Sequence, residues 1–180
     1  MLLSFNECQE KYGNQYQINK MLTSGQLYKV EPGIYSDKER VSELEIISYK
    51  YCHAVFTMDS AFYYHNLSDV IPSQFCLATK KNARLIADKR VKQFFHRNEI
   101  FSVGITTAQQ GNTEIRIYDM ERMLIELIRN KRNLPFDYYK EIIESYRKRT
   151  DILDIEKLQE YISAFPKQNY IFETIQLEVF

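Results

Sequence analysis

Carboxylate, thiol and imidazole side chains are the groups in this sequence that could form or break bonds, and their spacing argues against catalysis. Metal-dependent phosphoryl transfer needs aspartates paired around magnesium, and the sequence contains no Asp-x-Asp. Asp151 and Asp154 lie three residues apart, where helix caps are expected. Cys52 and His53 are adjacent, so on a helix they point in different directions and neither can activate the other. We therefore expect a binding protein and not an enzyme.

Sequence motifs for bound groups are also missing. There is no P-loop, no dinucleotide fingerprint and no zinc-ligand spacing, so we expect neither a cofactor nor a metal. His65 stands just before a predicted helix end, which favours a packing role over a catalytic one. Three cysteines lie far apart in the chain, and this pattern predicts reduced, buried thiols: Cys8, Cys52 and Cys76.

A polar helix near the N-terminus offers side chains that could read DNA. The pattern predicts this helix from about Asn14 to Ser24, with Ile18, Met21 and Leu22 on its apolar face. Glutamine and asparagine can pair with adenine edges, while lysine and threonine can hold phosphates. The candidate DNA-binding residues are Gln15, Gln17, Asn19, Lys20, Thr23 and, in the strand that follows, Lys29.

The elements around this helix have the order of a winged helix-turn-helix. Ser4 and Glu7 have capping-box spacing ahead of a helix over residues 5–12, and a predicted hairpin over residues 26–35 follows the second helix. Two features leave open a connecting module that has lost DNA binding. No arginine precedes Arg40, and Glu31 puts a negative charge at the tip of the wing. Because only residues 1–3 precede the first predicted helix, we also expect no further helix ahead of it.

The one locally basic segment is residues 80–97. Its cations could meet the phosphates of DNA or RNA, and Phe94 and Phe95 are interleaved with them. The alternative is a solvated loop and a strand over residues 91–95 whose outward charges protect a sheet edge. The candidate surface residues are Lys80, Lys81, Arg84, Lys89, Arg90 and Lys92.

The elements that must position these side chains are organised around residues 54–80. A short strand, a helix opened by Thr57, a stop at Asn66, a turn before Pro72 and a second strand over residues 74–79 are predicted there. Asparagine is the best residue after glycine for the left-handed conformation that ends a helix. None of these residues is arranged for covalent chemistry, so the segment is architectural.

The rest of the chain reads as mixed α and β structure. Ser36 and Glu39 predict a helix to about Tyr51, and strands are expected over residues 99–107 and 113–118. Helices capped by Asp119, begun near Pro135 and opened by Asp154 follow, and residues after Pro166 favour a last helix. We expect an α+β protein with a reduced winged module over residues 1–36, then a sheet-and-helix domain over residues 37–180 that ends in a helical bundle.

The amino-acid composition limits the kinds of partner and the location that the sequence is compatible with. Among 180 residues, 24 Lys and Arg balance 24 Asp and Glu, so a basic footprint must be local. The 14 Tyr and 11 Phe are expected mainly in packing. The N-terminus lacks a signal-peptide pattern and no apolar run reaches membrane-spanning length, so we expect a cytoplasmic protein without membrane contact.

Three stretches resemble one family. The segment TMDSAFYYHNLSDVIP over residues 57–72 resembles the pattern Ser/Thr-x-x-Ser/Thr-Ala-(aliphatic or aromatic)-x-x-His-Gly-Leu-Ser/Thr-Asp-x-x-Pro of AbiEi antitoxins from type IV, abortive-infection toxin–antitoxin systems. Asn66 stands where family members commonly have glycine. GQLYKVEPGIY before it and IRIYDMERMLIELIRNKRNLPFD after it are also similar, in the expected order.

The resemblance implies a transcriptional regulator that represses its own operon and acts as an antitoxin in phage defence. The implied partners are operator DNA, bound as a monomer or a homo-oligomer, and a nucleotidyltransferase toxin that the antitoxin counteracts, for which a stable complex is not required. Two alternatives stay open. One is a stand-alone DNA-binding regulator, and the other is an RNA-binding factor that uses residues 80–97.

Overall fold

Helices and strands of this chain form two separate units, each with its own sheet. The computed structural model describes residues 1–180, and the units cover residues 1–51 and 52–180. The first contains a three-stranded sheet and the second a five-stranded sheet. The predicted α+β class is confirmed.

The first unit is a small sheet carrying three helices. Its strands are antiparallel in the order β1-β3-β2, so the first strand pairs with the last. Helix α1 begins as the sequence predicted, because the Ser4 hydroxyl accepts from the Glu7 amide and the Glu7 carboxylate accepts from the Ser4 amide. The elements are β1 (Leu2–Ser4), α1 (Phe5–Tyr12), α2 (Gln15–Thr23), β2 (Tyr28–Glu31), β3 (Ile34–Ser36) and α3 (Glu43–Lys50).

Helix α3 starts later than predicted. Ser36 is buried in β3, where its hydroxyl accepts from the Lys38 amide at 2.9 Å, and it caps no helix. The actual cap is Ser42, whose hydroxyl accepts from the Glu45 amide at 3.1 Å. Ile46 of α3 packs in one apolar cluster with residues of β1 and β3. The N-terminal unit therefore continues to Tyr51, past the expected module boundary near residue 36.

The second unit is a mixed sheet followed by four helices. The strand order is β6-β5-β4-β8-β7, in which β5 with β6 and β4 with β8 are parallel and the other neighbours are antiparallel. The sheet and its helices are β4 (Val55–Phe56), α4 (Met58–Tyr64), β5 (Phe75–Lys80), β6 (Val91–His96), α5 (Asn98–Phe101), β7 (Ile105–Gln110) and β8 (Thr113–Tyr118). The last helices are α6 (Met120–Asn130), α7 (Phe136–Arg147), α8 (Ile155–Ser163) and α9 (Gln168–Glu178).

The strand predicted over residues 99–107 is wrong in its first half. Residues 98–101 form the single turn of helix α5, which buries Ile100 and Phe101, and β7 begins only at Ile105. The tail after Pro166 is helical, as predicted.

The end of helix α4 follows the sequence prediction. Asn66 has φ of 54°, its amide donates to Tyr63 O at 2.9 Å, and the Leu67 amide donates to Phe62 O at 2.8 Å. These two bonds form a Schellman motif closed by a left-handed asparagine. The start differs, because the Thr57 side chain makes no capping bond and its hydroxyl lies 3.8 Å from Met123 Sδ.

Helix α6 is the centre of the second unit. Asp119 caps it, since its carboxylate accepts from the Arg122 amide at 2.9 Å. All eight residues from Glu121 to Ile128 are buried, because α6 packs against α4, α8 and α9. A helix covered on every side normally carries apolar residues alone. Here two arginines and two glutamates occur among residues 121–129.

None of the nine helices combines the length and the apolar character that spanning a bilayer requires.

Candidate nucleic-acid interface

Helix α2 presents its polar side chains to solvent. Asn14 starts the helix by accepting from the Gln17 amide at 3.1 Å, and Ile18 anchors it in the apolar cluster of the first unit. Met21 and Leu22 are partly buried beside Ile18. The five candidate residues of α2 are all exposed: Gln15, Gln17, Asn19, Lys20 and Thr23.

The candidate residues differ in how directly they face outward. At 100° per residue, Lys20 and Thr23 lie opposite the buried stripe, whereas Gln15 and Gln17 border it. Gln15 Nε2 also donates to Asn19 Oδ1 at 2.9 Å, which occupies part of both amides. We call the outward residues the α2 face: Tyr16, Asn19, Lys20 and Thr23.

Tyr16 is a candidate contact that the sequence analysis missed. Its side chain is 72% exposed and lies one helical turn before Lys20, on the same face. Aromatic side chains contribute a large contact area for little lost conformational freedom. The signal was the spacing of four residues from Lys20 within a helix whose apolar residues had already been identified.

The antiparallel β2–β3 hairpin stands where the sequence analysis predicted a wing. Lys29 is exposed on β2, as a phosphate contact requires. Glu31, which had counted against DNA binding, lies 3.0 Å from Lys50 Nζ through its Oε2 atom. This ion pair reduces the repulsion that a lone carboxylate at the wing would exert on phosphate.

Charge alone gives the first unit little attraction for nucleic acid. Residues 1–51 contain six basic and seven acidic side chains. The acidic residues lie mainly on α1, on α3 and in the loop after β3, and none is on α2. Non-specific affinity for DNA comes mostly from neutralised phosphates, so binding through the α2 face would have to rely on contacts to base edges.

The basic segment forms one edge of the larger sheet. Strand β6 is the outermost strand and pairs only with β5. Cations at the edge of a sheet are consistent with protection of that edge against mispairing, and they are equally consistent with a surface for nucleic acid. Five of its six candidate cations are exposed: Lys80, Lys81, Arg84, Lys89 and Lys92.

Arg90 is the exception among the six. Its guanidinium donates to both carboxylate oxygens of Asp88, at 3.0 and 2.8 Å. A bidentate pair fixes the guanidinium and neutralises its charge. Arg90 therefore closes the turn before β6 and offers less to a phosphate than its neighbours do.

Gln93 holds the loop over residues 81–90 in place, a role that sequence reasoning missed. Its Oε1 accepts from the Ile86 amide at 2.8 Å, and its Nε2 donates to Thr79 Oγ1 at 2.8 Å and to Arg84 O at 3.1 Å. One side chain in β6 thus connects the preceding strand with the loop that carries the candidate cations.

The residues screened for catalysis are not assembled into a reactive site. His65 is mostly buried, its Nε2 lies 2.7 Å from Tyr118 O, and burial lowers its pKa. These contacts agree with the predicted packing role. Cys8 and Cys76 are free and buried as expected, whereas Cys52 is exposed. Among residues 1–180, no three His, Cys, Asp or Glu side chains are grouped to hold a metal ion.

A buried charge network crosses α6, and the helical pattern gave little sign of it. Arg122 is fully buried between the rings of Tyr118 and Phe165, with its Cζ atom 4.4 and 4.6 Å from their centroids. Its Nη2 donates to Glu126 Oε1 at 2.8 Å, and its Nη1 donates to Val103 O at 2.9 Å. The signal in the sequence was an Arg and a Glu four residues apart within an apolar run.

Gly104 makes room for this network. A Cβ atom at position 104 would lie 2.4 Å from Arg122 Cβ and 3.0 Å from Asp119 Oδ1. The backbone φ of 77° at this position is also one that residues other than glycine rarely adopt. Glycine therefore satisfies two independent requirements at this position.

No protein-family model matches the chain, and no curated protein matches it significantly.

Proposed function

We propose that this protein is the antitoxin of a type IV toxin–antitoxin system, and that it represses its own operon by binding operator DNA. The observation that carries the proposal is the α2 face, a solvent-exposed polar strip on a short helix that is anchored through Ile18. Such a strip has the size and chemistry to enter a major groove and contact base edges.

The order and pairing of the first unit support the DNA-binding part. Strand β1, helices α1 and α2, and the β2–β3 hairpin follow one another, and β1 pairs with β3 at the base of the hairpin. This order is that of a winged helix-turn-helix reduced by one helix, with α2 as the recognition helix. The wing would then place Lys29 against the phosphate backbone.

The antitoxin part rests on the resemblance of residues 57–72 and its neighbouring stretches to AbiEi antitoxins. Asn66 closes α4 through a left-handed cap, and the Ser68 hydroxyl accepts from the Val70 amide at 3.1 Å in the turn that follows. These residues build a rigid turn and no reactive site, which suits a protein that opposes a nucleotidyltransferase toxin by binding and regulation.

Gel shifts with the protein's own promoter test DNA binding. We expect the full chain to bind this duplex with sequence dependence, and to bind it more tightly than a shuffled duplex at the same salt concentration. Equal affinity for both duplexes would contradict operator recognition.

Co-expression tests the antitoxin activity. We expect the full chain to restore growth to cells that express the nucleotidyltransferase toxin that this proposal assigns to the same operon. Growth arrest that persists at high levels of the folded chain would overturn the assignment, whatever the gel shifts show.

The exposed cations on β6 and its preceding loop favour a second function, binding of RNA. Lys81, Arg84, Lys89 and Lys92 are exposed on β6 and its preceding loop, and Lys92 Nζ lies 5.4 Å from the centroid of the Phe94 ring. Preference for single-stranded RNA or transfer RNA over the promoter duplex, lost on charge reversal of Lys89 and Lys92, would support this function over operator binding.

A further inference from the structure

A cleft between α6 and α9 has the lining of an anion-binding site. Its volume is about 450 Å³, within the range of small-ligand sites of roughly 300–1,000 Å³. Its lining contains three cationic residues and no acidic one, with Ile128 and Ile171 contributing apolar surface. The cations are Arg129, Arg132 and Lys167.

Two of these cations have no partner within the protein. Both residues are exposed, and the side chains of Arg132 and Lys167 make no hydrogen bond or ion pair within the chain. Lys167 has φ of 62°, so the chain turns sharply there before α9 begins. Unpaired cations that border a concave surface raise its positive potential and attract anions.

Arg129 is held at the cleft by a carboxylate that two guanidiniums share. Its Nη1 lies 2.9 Å from both carboxylate oxygens of Glu126, which also accepts from Arg122. One negative charge cannot neutralise two positive ones, so the network carries a net positive charge beneath the cleft. Stacking on Phe165, with Cζ 4.9 Å from the ring centroid, further restricts the Arg129 side chain.

The same cleft offers an aromatic surface. Tyr170 lies in the wall of the cleft and is 48% exposed. It belongs to the first turn of α9, three residues after Lys167. A planar base can stack on such a ring while its phosphates meet the cations. Phosphate-binding cations and an exposed aromatic ring within one cleft define the chemistry of its ligand.

We propose that this cleft binds a mononucleotide, with Arg129, Arg132 and Lys167 holding the phosphates and Tyr170 stacking on the base. Every residue involved lies in the second unit, so the proposal does not depend on operator binding by α2. Neither candidate nucleic-acid surface includes these residues.

Calorimetric titration of the full chain tests the proposal. The probes are ATP, GTP, CTP and UTP, with pyrophosphate and the free nucleosides for comparison. We expect at least one nucleoside triphosphate to bind with Kd below about 1 mM, more tightly than pyrophosphate or its own nucleoside. No binding by any triphosphate at this concentration would overturn the proposal.

Charge reversal locates the site. The double variant Arg132→Glu with Lys167→Glu should bind the nucleotide about tenfold more weakly or worse, because charge-assisted contacts to phosphate are lost. The matched control is Lys140→Glu with Lys148→Glu, which reverses two exposed cations outside the cleft and should leave the affinity unchanged. Equal losses in both double variants would show non-specific attraction and contradict the site.

Tyr170→Ala separates base stacking from phosphate binding. We expect this variant to lose affinity for the nucleotide and to keep its affinity for pyrophosphate. A variant that binds the nucleotide as well as the unmodified chain does would overturn the assignment of a base to the cleft.

Discussion

Arg122 and Glu126, one turn apart on α6, form an ion pair that is buried from solvent, with Nη2 and Oε1 separated by 2.8 Å. The same carboxylate accepts two hydrogen bonds from Arg129, and His96 Nδ1 lies 3.6 Å from it. Glu126 therefore provides the negative charge at the centre of a group of cationic and polar side chains. We therefore expect loss of this carboxylate to destabilise the second unit.

Glu126→Ala should strongly destabilise the second unit. It would leave the buried guanidinium of Arg122 without its counter-ion, and breaking a buried pair typically costs about 3–5 kcal/mol. Urea unfolding followed by circular dichroism measures the loss. Glu173→Ala removes an exposed carboxylate that makes no hydrogen bond or ion pair, and it should change the free energy of unfolding by less than about 0.5 kcal/mol. A loss below about 1 kcal/mol for Glu126→Ala would contradict the network.

Asn66→Gly and Asn66→Ala should have different effects on the free energy of unfolding. Glycine adopts the left-handed conformation freely, so Asn66→Gly should be close to neutral. Alanine at φ of 54° should cost about 1–2 kcal/mol. Thermal or urea unfolding of both variants measures the difference. Equal stability of the two would show that residue 66 does not need the left-handed region in solution.

Lys20→Ala should weaken binding of the promoter duplex uniformly across sequences, and should reduce the slope of log affinity against log salt by about one. Lys38→Ala, an exposed lysine in the loop after β3, is the matched control. Fluorescence anisotropy at several salt concentrations gives both slopes. If Lys20→Ala and Lys38→Ala behave alike, α2 is not the DNA-contacting helix.

Gln17→Ala should weaken binding in a sequence-dependent way, by about 1–3 kcal/mol if the amide pairs with a base edge. Since Gln17 borders the buried stripe of α2, Asn19→Ala is the second variant to compare. Competition with operators changed at single positions measures the effect. Unchanged affinity and specificity in both variants would exclude base reading by this helix.

Stability should fall as the pH is lowered from 7.5 toward 5.5. Burial lowers the pKa values of His65 and His96 below the ordinary value of 6.5. The unfolded chain then takes up these protons more readily, so the full stability is present above pH 6.5 and is lost as the pH falls toward the folded pKa values. Urea unfolding across this range gives the slope.

The histidine variants identify the source of that slope. His65→Gln keeps a donor for Tyr118 O and removes the titrating group, so its stability should depend less on pH than that of the unmodified chain. His53→Gln, at an exposed position, is the control. A stability that is flat between pH 7.5 and 5.5 in the unmodified chain would contradict buried, neutral histidines.

The sequence predicted helix caps and a helix end correctly where the hydrogen bonds that form them lie within about one turn of backbone. The capping box of Ser4 and Glu7, the left-handed Asn66 and the cap at Asp119 each involve bonds within five residues. Such contacts leave a trace in residue type and spacing.

Elements that depend on distant partners could not be predicted in this way. Strand β1 has only three residues and exists because it pairs with β3, thirty or more positions away. Ser36 has the residue type of a cap, but its place in β3 buries it. Tertiary pairing outweighed local preference in both cases.

In the candidate sites too, features set by nearby residues could be predicted and features set by distant strands could not. The types of side chain on α2 and their exposure followed from helical spacing, whereas the loop contacts of Gln93 depend on how β5 and β6 come together. The pairing of Arg90 with Asp88, two residues apart, was local enough to be anticipated.

Position 104 should stand out when every residue of the chain is randomised and functional clones are sequenced. Any side chain at this position would clash with the Cβ atom of Arg122. The residue would also need a left-handed backbone angle, which residues other than glycine rarely adopt. Rescue by a second change is therefore difficult, because a shorter side chain at position 122 still has its Cβ atom and the left-handed backbone angle remains. Surviving clones should keep glycine even though this residue contributes no side chain of its own.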